Sequence, residues 1–312
     1  MLKIPSSIHL YQEGDLKGLR IEDLGRYLEE KTHIPFHFHG NIYEGLPEKR
    51  VGAVAKEFAG IKVKDPGKRF TPLENSTIYV GDVERKCSFV IEGGVKAPSF
   101  LTGFIPGVPL QAEIDYEKRR MKDPQWRIFG ILYEGVWYQK IVSEIIHQGK
   151  FDFNRCTILF TNQLFGTWDR GDLRYHARVS LYAFPNLIST TGLIEAPAKP
   201  KGFYLKKQMG VSVELLEEEY QGRFLDHGDV RTTEILKGYA MQALFFHLSG
   251  EPFCEDPDCR LFNSHWQEEV LHAQLDGRYE FCPKHEGILS KVREQAGLRN
   301  LPSPGDCVVI PF

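Results

Sequence analysis

The stretch CEDPDCRLFNSHWQEEVLHAQLDGRYEFCPKH, Cys254 to His285, holds three of the six cysteines in a chain of 312 residues and closes on a histidine. Cys254 and Cys259 are separated by four residues that include Pro257, and Cys282 and His285 by two. Each pair has the spacing of a tight turn, and a helix-length spacer joins them. Zn²⁺ takes four tetrahedral sulfur and imidazole ligands, and a structural site is closed because the protein supplies all four. The two pairs therefore predict one structural Zn²⁺ on Cys254, Cys259, Cys282 and His285, with His272 and His265 as alternatives for the fourth position. Cys87, Cys156 and Cys307 stand alone, and Cys156 lies in an apolar run that reads as core.

Composition limits the function classes. With 42% apolar, 12% aromatic and 26% charged residues, the chain has material for a packed core and resembles no disordered class. A net charge of −3 and a pI near 6.4 give no global attraction to nucleic acid or to anionic membranes. The basic stretches KVKDPGKR, YEKRRMKD and KPKGFYLKK have acidic neighbours and read as solvated loops, not as a nucleic-acid surface. No run approaches the ~18 apolar residues of a spanning helix, and MLKIPSSIHLYQEGDLKG lacks the apolar core of a signal peptide. The expectation is a cytoplasmic protein without a membrane partner. In a reducing compartment, closely spaced cysteines hold metal more readily than they form disulfides.

The patterning suggests three regions. In residues 1–60, IHLYQE reads as a strand, LRIEDLGRYLEEKT as a helix with Leu19, Ile21, Leu24 and Leu28 on one side, and IPFHFHGNIY as a second strand. Strand, helix, strand is the unit of a parallel sheet. EKRVGAVAKEFAGI supplies the next helix. Residues 61–130, with runs such as STIYVGDV, CSFVIEGG and SFLTGFI, read as a β-like insertion or small subdomain. In residues 131–312, YEGVWYQKIVSEIIHQG reads as a helix, CTILFTNQL as a buried strand and RYHARVSLYAF as an alternating one. TTGLIEAPAKPKGFYLKK reads as a surface loop, and DVRTTEILKGYAMQALFFHLSG as a mostly buried helix stopped by Gly250 and Pro252. The metal segment, 254–285, follows.

From about Val136 to Leu289 the chain resembles the C-terminal half of the archaemetzincins, a metzincin-like family of zincins, and more closely a group of uncharacterised archaeal relatives treated as metallopeptidases. In the archaemetzincins a helix carries His-Glu-x-x-His-x-x-Gly-x-x-His and leads at once into a four-cysteine zinc site. Here the zinc segment is present with His285 in place of the last cysteine, while the helix is degenerate. His247 matches the second histidine and Gly250 the glycine; the first histidine corresponds to Ala243, the glutamate to Leu244 and the third histidine to Phe253. The Met-turn position is Leu261. The resemblance implies an α/β fold: a zincin-like mixed sheet with packed helices, a β-like insertion and a C-terminal structural-zinc subdomain. It implies no intact catalytic set, with His247 as a remnant. The expected function is that of a zinc-stabilised binding or scaffold protein without peptidase activity, acting on a protein or peptide partner. The alternative is a metal-dependent hydrolase or metallopeptidase with a rearranged site.

HWQEEVLH is where a rearranged site could form. His265, Glu268, Glu269 and His272 share one helical face at i, i+3, i+4 and i+7, so His265, Glu269 and His272 are candidates for a second metal. A solvated polar face opposite Trp266, Val270 and Leu271 is the plainer reading. His37 and His39 project from one side of a strand, with His33 nearby; they could be metal ligands, but alternate polar residues on a half-exposed strand are the commoner explanation. Asp229 is expected to cap the helix that follows it.

Overall fold

The computed structural model describes residues 2–70, 109–126 and 130–299. In chain order the elements are β1 (Ser7–Glu13), α1 (Ile21–Thr32), β2 (Phe36–Asn41), α2 (Glu48–Gly60), α3 (Gln111–Lys122), β3 (Leu132–Glu134), α4 (Gly135–His147), β4 (Arg155–Thr161) and β5 (Leu164–Asp169). They continue with β6 (Arg174–Arg178), β7 (Ser180–Leu181), β8 (Asn186–Ser189), α5 (Thr190–Glu195), α6 (Lys201–Gln208), α7 (Val213–Glu219), α8 (Thr232–Ser249), α9 (Gln267–Leu271), a π-helical turn (His272–Asp276) and α10 (Pro283–Arg299).

This is a mixed α/β fold. Five strands form the main sheet in the order β2-β1-β4-β8-β7, parallel except for β7. A smaller sheet, β3-β5-β6, lies beside α4. Strand alternation divides the main sheet chemically. Ile8, Leu10, Cys156, Ile158, Phe160 and Ile188 face a core shared with α1, α8 and α10, while Tyr11, Leu159 and Leu187 face one shared with α2, α3 and α4. The two central strands, β1 and β4, are thus buried on both faces. Among the described residues no helix is long and apolar enough to cross a membrane.

The strand-helix-strand reading of the N-terminus corresponds to β1, α1 and β2, with β1 and β2 parallel. Two sequence expectations need correction. The stretch 190–207 is not a loop: Thr190–Glu195 and Lys201–Gln208 are helices, because Ser189 caps the first through Gly192 N and Pro200 precedes the second, where its fixed φ suits a helix start. Residues 111–122, read as part of a β-like insertion, are the helix α3. Its YEKRRMKD is not simply a solvated loop either, since Arg120 is only 3% exposed. STIYVGDV, CSFVIEGG and SFLTGFI lie outside the described residues.

A buried ion network joins α3 to the sheet. Glu13, at the carboxyl end of β1, accepts hydrogen bonds from Arg120, Tyr43 and Tyr138. Arg120 Nε also donates to Glu117 at 2.8 Å, and Glu117 is reached by Tyr133 Oη and by Lys62 Nζ, each at 2.8 Å. This network fills the point between β1 and β4 where the strand order reverses, the place at which open α/β sheets commonly take ligands. Desolvation here is offset only because each charge has several partners.

Candidate metal centre

α8 delivers the chain to the site. Its apolar residues are buried nearly all round, so it runs through the core, and it stops at Gly250, whose φ of 79° is the left-handed conformation that ends a helix. Beyond it, Cys254 N donates to Leu261 O at 2.8 Å and Phe262 N to Cys259 O at 2.8 Å, closing a turn that holds both cysteines. The second pair comes from α10. Cys282 sits just before its first residue, Pro283, and His285 follows within the first turn. Gly277 lets the returning chain pass closely: a Cβ there would meet Asp258 O at 2.6 Å.

The four side chains converge, with ligand atoms all within 4.8 Å of one another. Cys254 and Cys282 sulfurs lie 3.8 Å apart, and His285 Nδ1 lies 3.1 Å from Cys282 Sγ and 3.8 Å from Cys259 Sγ. A tetrahedral ion with bonds of ~2.3 Å to sulfur places two sulfurs about 3.8 Å apart, so the cluster could hold a metal ion. A disulfide needs sulfurs at ~2.05 Å, and these cysteines are free. Backbone amides are aimed at the sulfurs: Asp256 N donates to Cys254 Sγ at 3.4 Å and Cys282 N to Cys259 Sγ at 3.5 Å. Such donors, with the positive end of α10, favour thiolate charge. Without an ion, burial dominates and pushes the Cys259 thiol up to about 12, while burial also raises that of Cys254. Burial, then Lys284, holds His285 below its usual value, leaving a neutral imidazole able to ligate.

Around the ligands lies a polar shell that spacing alone does not reveal. Asp258 is 8% exposed at its side chain and accepts from Arg278 Nε at 2.6 Å, with His272 Nε2 at 3.0 Å. Arg260 reaches Glu234 on α8 at 2.8 Å and Glu280 at 3.3 Å, tying both cysteine turns to the helix.

HWQEEVLH is placed differently from the single helical face expected of it. His265 precedes α9, and His272 opens the π-helical turn. Glu269 Oε2 accepts from His265 N at 2.7 Å and Trp266 N at 3.1 Å, which makes it a cap of α9, while Glu268 pairs with Arg223. His265, Glu269 and His272 do not meet in a cluster, and His272 is committed to Asp258. His247 lies elsewhere again. Burial drives its pKa down to about 4, its ring donates to the Phe153 backbone carbonyl, and the Phe184 ring packs edge-on at 5.8 Å. Ala243 and Leu244 are fully buried, and Phe253 is exposed against Tyr182. Asp229 stands just ahead of α8, where its carboxylate accepts from Arg231 N at 2.8 Å, as a cap does, and also pairs with the Arg231 guanidinium at 2.7 Å. His33 ends α1 in the left-handed conformation, apart from His37 and His39. The sequence reading passed over His9, which the parallel register sets opposite His37.

No curated protein and no solved structure matches the chain. A family model does, over residues 103–292, well over half of the 312 residues and including all of α8 and the four converging ligands. By that match the chain belongs to the family described as "Probable metallopeptidase family (DUF6775)".

Proposed function

We propose that this chain is a zinc-stabilised, archaemetzincin-like protein of the cytoplasm that lacks peptidase activity and acts as a binding or scaffold protein for a protein or peptide partner. The observation that carries this reading is the state of α8. A catalytic zinc needs about three protein ligands and one open position for water. At the positions that would supply them, Ala243 and Leu244 are sealed in the apolar core and His247 is a neutral histidine among aromatic rings. The donor set of the cysteine cluster, three thiols and one imidazole, is that of a structural zinc. Four protein ligands leave no place for substrate, so bound zinc would pin the chain after α8 to the start of α10.

The aromatic residues around His247 support a binding role. Phe151, Phe153 and Phe253 are each 42–51% exposed, and Phe153 packs edge-on against Phe184, which covers His247. Exposed aromatics in a row suit contact with a protein or peptide.

The test is hydrolysis. The zinc-loaded chain, incubated with a mixture of unstructured peptides and followed by mass spectrometry, is expected to give no chelator-sensitive cleavage. Cleavage that a chelator stops and that His247→Ala abolishes would overturn the reading in favour of the metal-dependent hydrolase.

A further inference from the structure

Three imidazoles gather at the β2 edge of the main sheet, on the face opposite that packed by α10. His9 on β1 and His37 on the edge strand β2 are register partners, and His39 follows on the same side of β2. Ring centroids stand 5.1 Å apart for His9 and His37, 4.9 Å for His9 and His39, and 6.5 Å for His37 and His39. His9 is buried, while His37 and His39 are exposed. Nδ1 of His9 lies 2.7 Å from Nε2 of His39, and Nε2 of His9 lies 3.0 Å from Ser7 Oγ.

We propose that His9, His37 and His39 form a second metal site, selective for a divalent transition ion that favours imidazole nitrogen and leaving the remaining coordination positions to solvent. The register carries the argument: parallel strands about 4.8 Å apart, with side chains alternating in phase, bring three rings onto one patch. Ser7 supplies the outer contact that ligating histidines usually have. With Nε2–H donated to the Ser7 hydroxyl, His9 presents the lone pair of Nδ1 towards His39. Arg155, a cation whose charge is felt by both His9 and His39, is paired with Asp152 at 2.9 Å.

His9 and His39 need little rearrangement to share an ion. Two nitrogens at ~2.0–2.1 Å from a tetrahedral ion stand about 3.3 Å apart, so the His9 and His39 nitrogens separate by roughly half an ångström. The proton on Nε2 of His39 is given up and Nδ1 of the same ring takes one from water, leaving the other neutral tautomer. His37, on the exposed edge, turns towards the same point. Three neutral ligands without a carboxylate or thiolate make an exchangeable site, unlike the cysteine cluster.

The full chain with zinc already in the cysteine cluster is titrated with Co²⁺, following visible absorption and the content of both metals. One cobalt per chain is expected, with weak ligand-field bands and none of the intense sulfur charge-transfer absorption. His37→Ala and His39→Ala, both on the exposed edge, should each weaken cobalt binding roughly tenfold or more while zinc content and Tm stay unchanged. A chain that takes up cobalt only by displacing zinc, or variants that bind it as well as the parent, would overturn the proposal.

Discussion

Sγ of Cys282 and Nδ1 of His285 lie 3.1 Å apart across the start of α10, and each is also within 3.8 Å of a cysteine from the turn after α8. The pair binds two distant parts of the chain at one point. Pro283 between them supplies a helix start at which no amide is needed, so that both donors can face the same side. Structural zinc contributes of order 10 kcal/mol to small units that depend on it. Cys259→Ser is therefore expected to lose the bound metal and to lower Tm by on the order of 10 °C, read from metal content and thermal unfolding.

The HWQEEVLH segment yields a contrasting expectation. Glu269 caps α9, so Glu269→Ala should cost about 1 kcal/mol without loss of zinc. His272→Ala removes one half-exposed contact to Asp258 and should change stability by roughly 0.5 kcal/mol. Zinc content measured on the double variant separates this from a metal site, which would lose an ion.

Arg120→Met tests the buried network. It removes the cation shared by Glu13 and Glu117, both fully buried, and leaves Glu117 with the Lys62 cation. Breaking a buried pair from one side typically costs about 3–5 kcal/mol. Urea unfolding should show a loss of that size, and substituting the surface pair partner Lys122 should show almost none.

How much of this could be read from sequence depended on whether neighbours in the fold were neighbours in the chain. The cysteine pairs were legible because each lies within one turn. α8 was legible because its apolar residues are continuous and Gly250 ends it. α3 was not: QAEIDYEKRRMK is charged at most positions, and Arg120 is buried between its neighbour Glu117 and the distant Glu13, which only the fold brings to it. α5 and α6 were hidden by Gly192 and by prolines that in fact bracket helices. His9 was missed because its partner His37 is 28 positions away, and only the pairing of β1 with β2 brings them together.

Glu134 gives a pH dependence. Its side chain caps α4 through Trp137 N at 2.8 Å, yet burial, the largest influence, raises it from 4.5 to about 7. The folded chain therefore keeps a proton that the unfolded chain releases above about pH 4.5. Its contribution to stability is fully present below that value and is lost as pH rises towards 7. Glu134→Gln should flatten the change in stability between pH 5 and pH 8 by on the order of 2–3 kcal/mol, measured by denaturant unfolding at both values.

The most direct measurement is an anomalous difference map at the zinc absorption edge, from crystals of the full chain grown without added metal. The account predicts one strong peak among Cys254, Cys259, Cys282 and His285, ~2.3 Å from each sulfur, and no density at His247. A peak coordinated by His247, or cysteines joined as a disulfide with no peak between them, would contradict it.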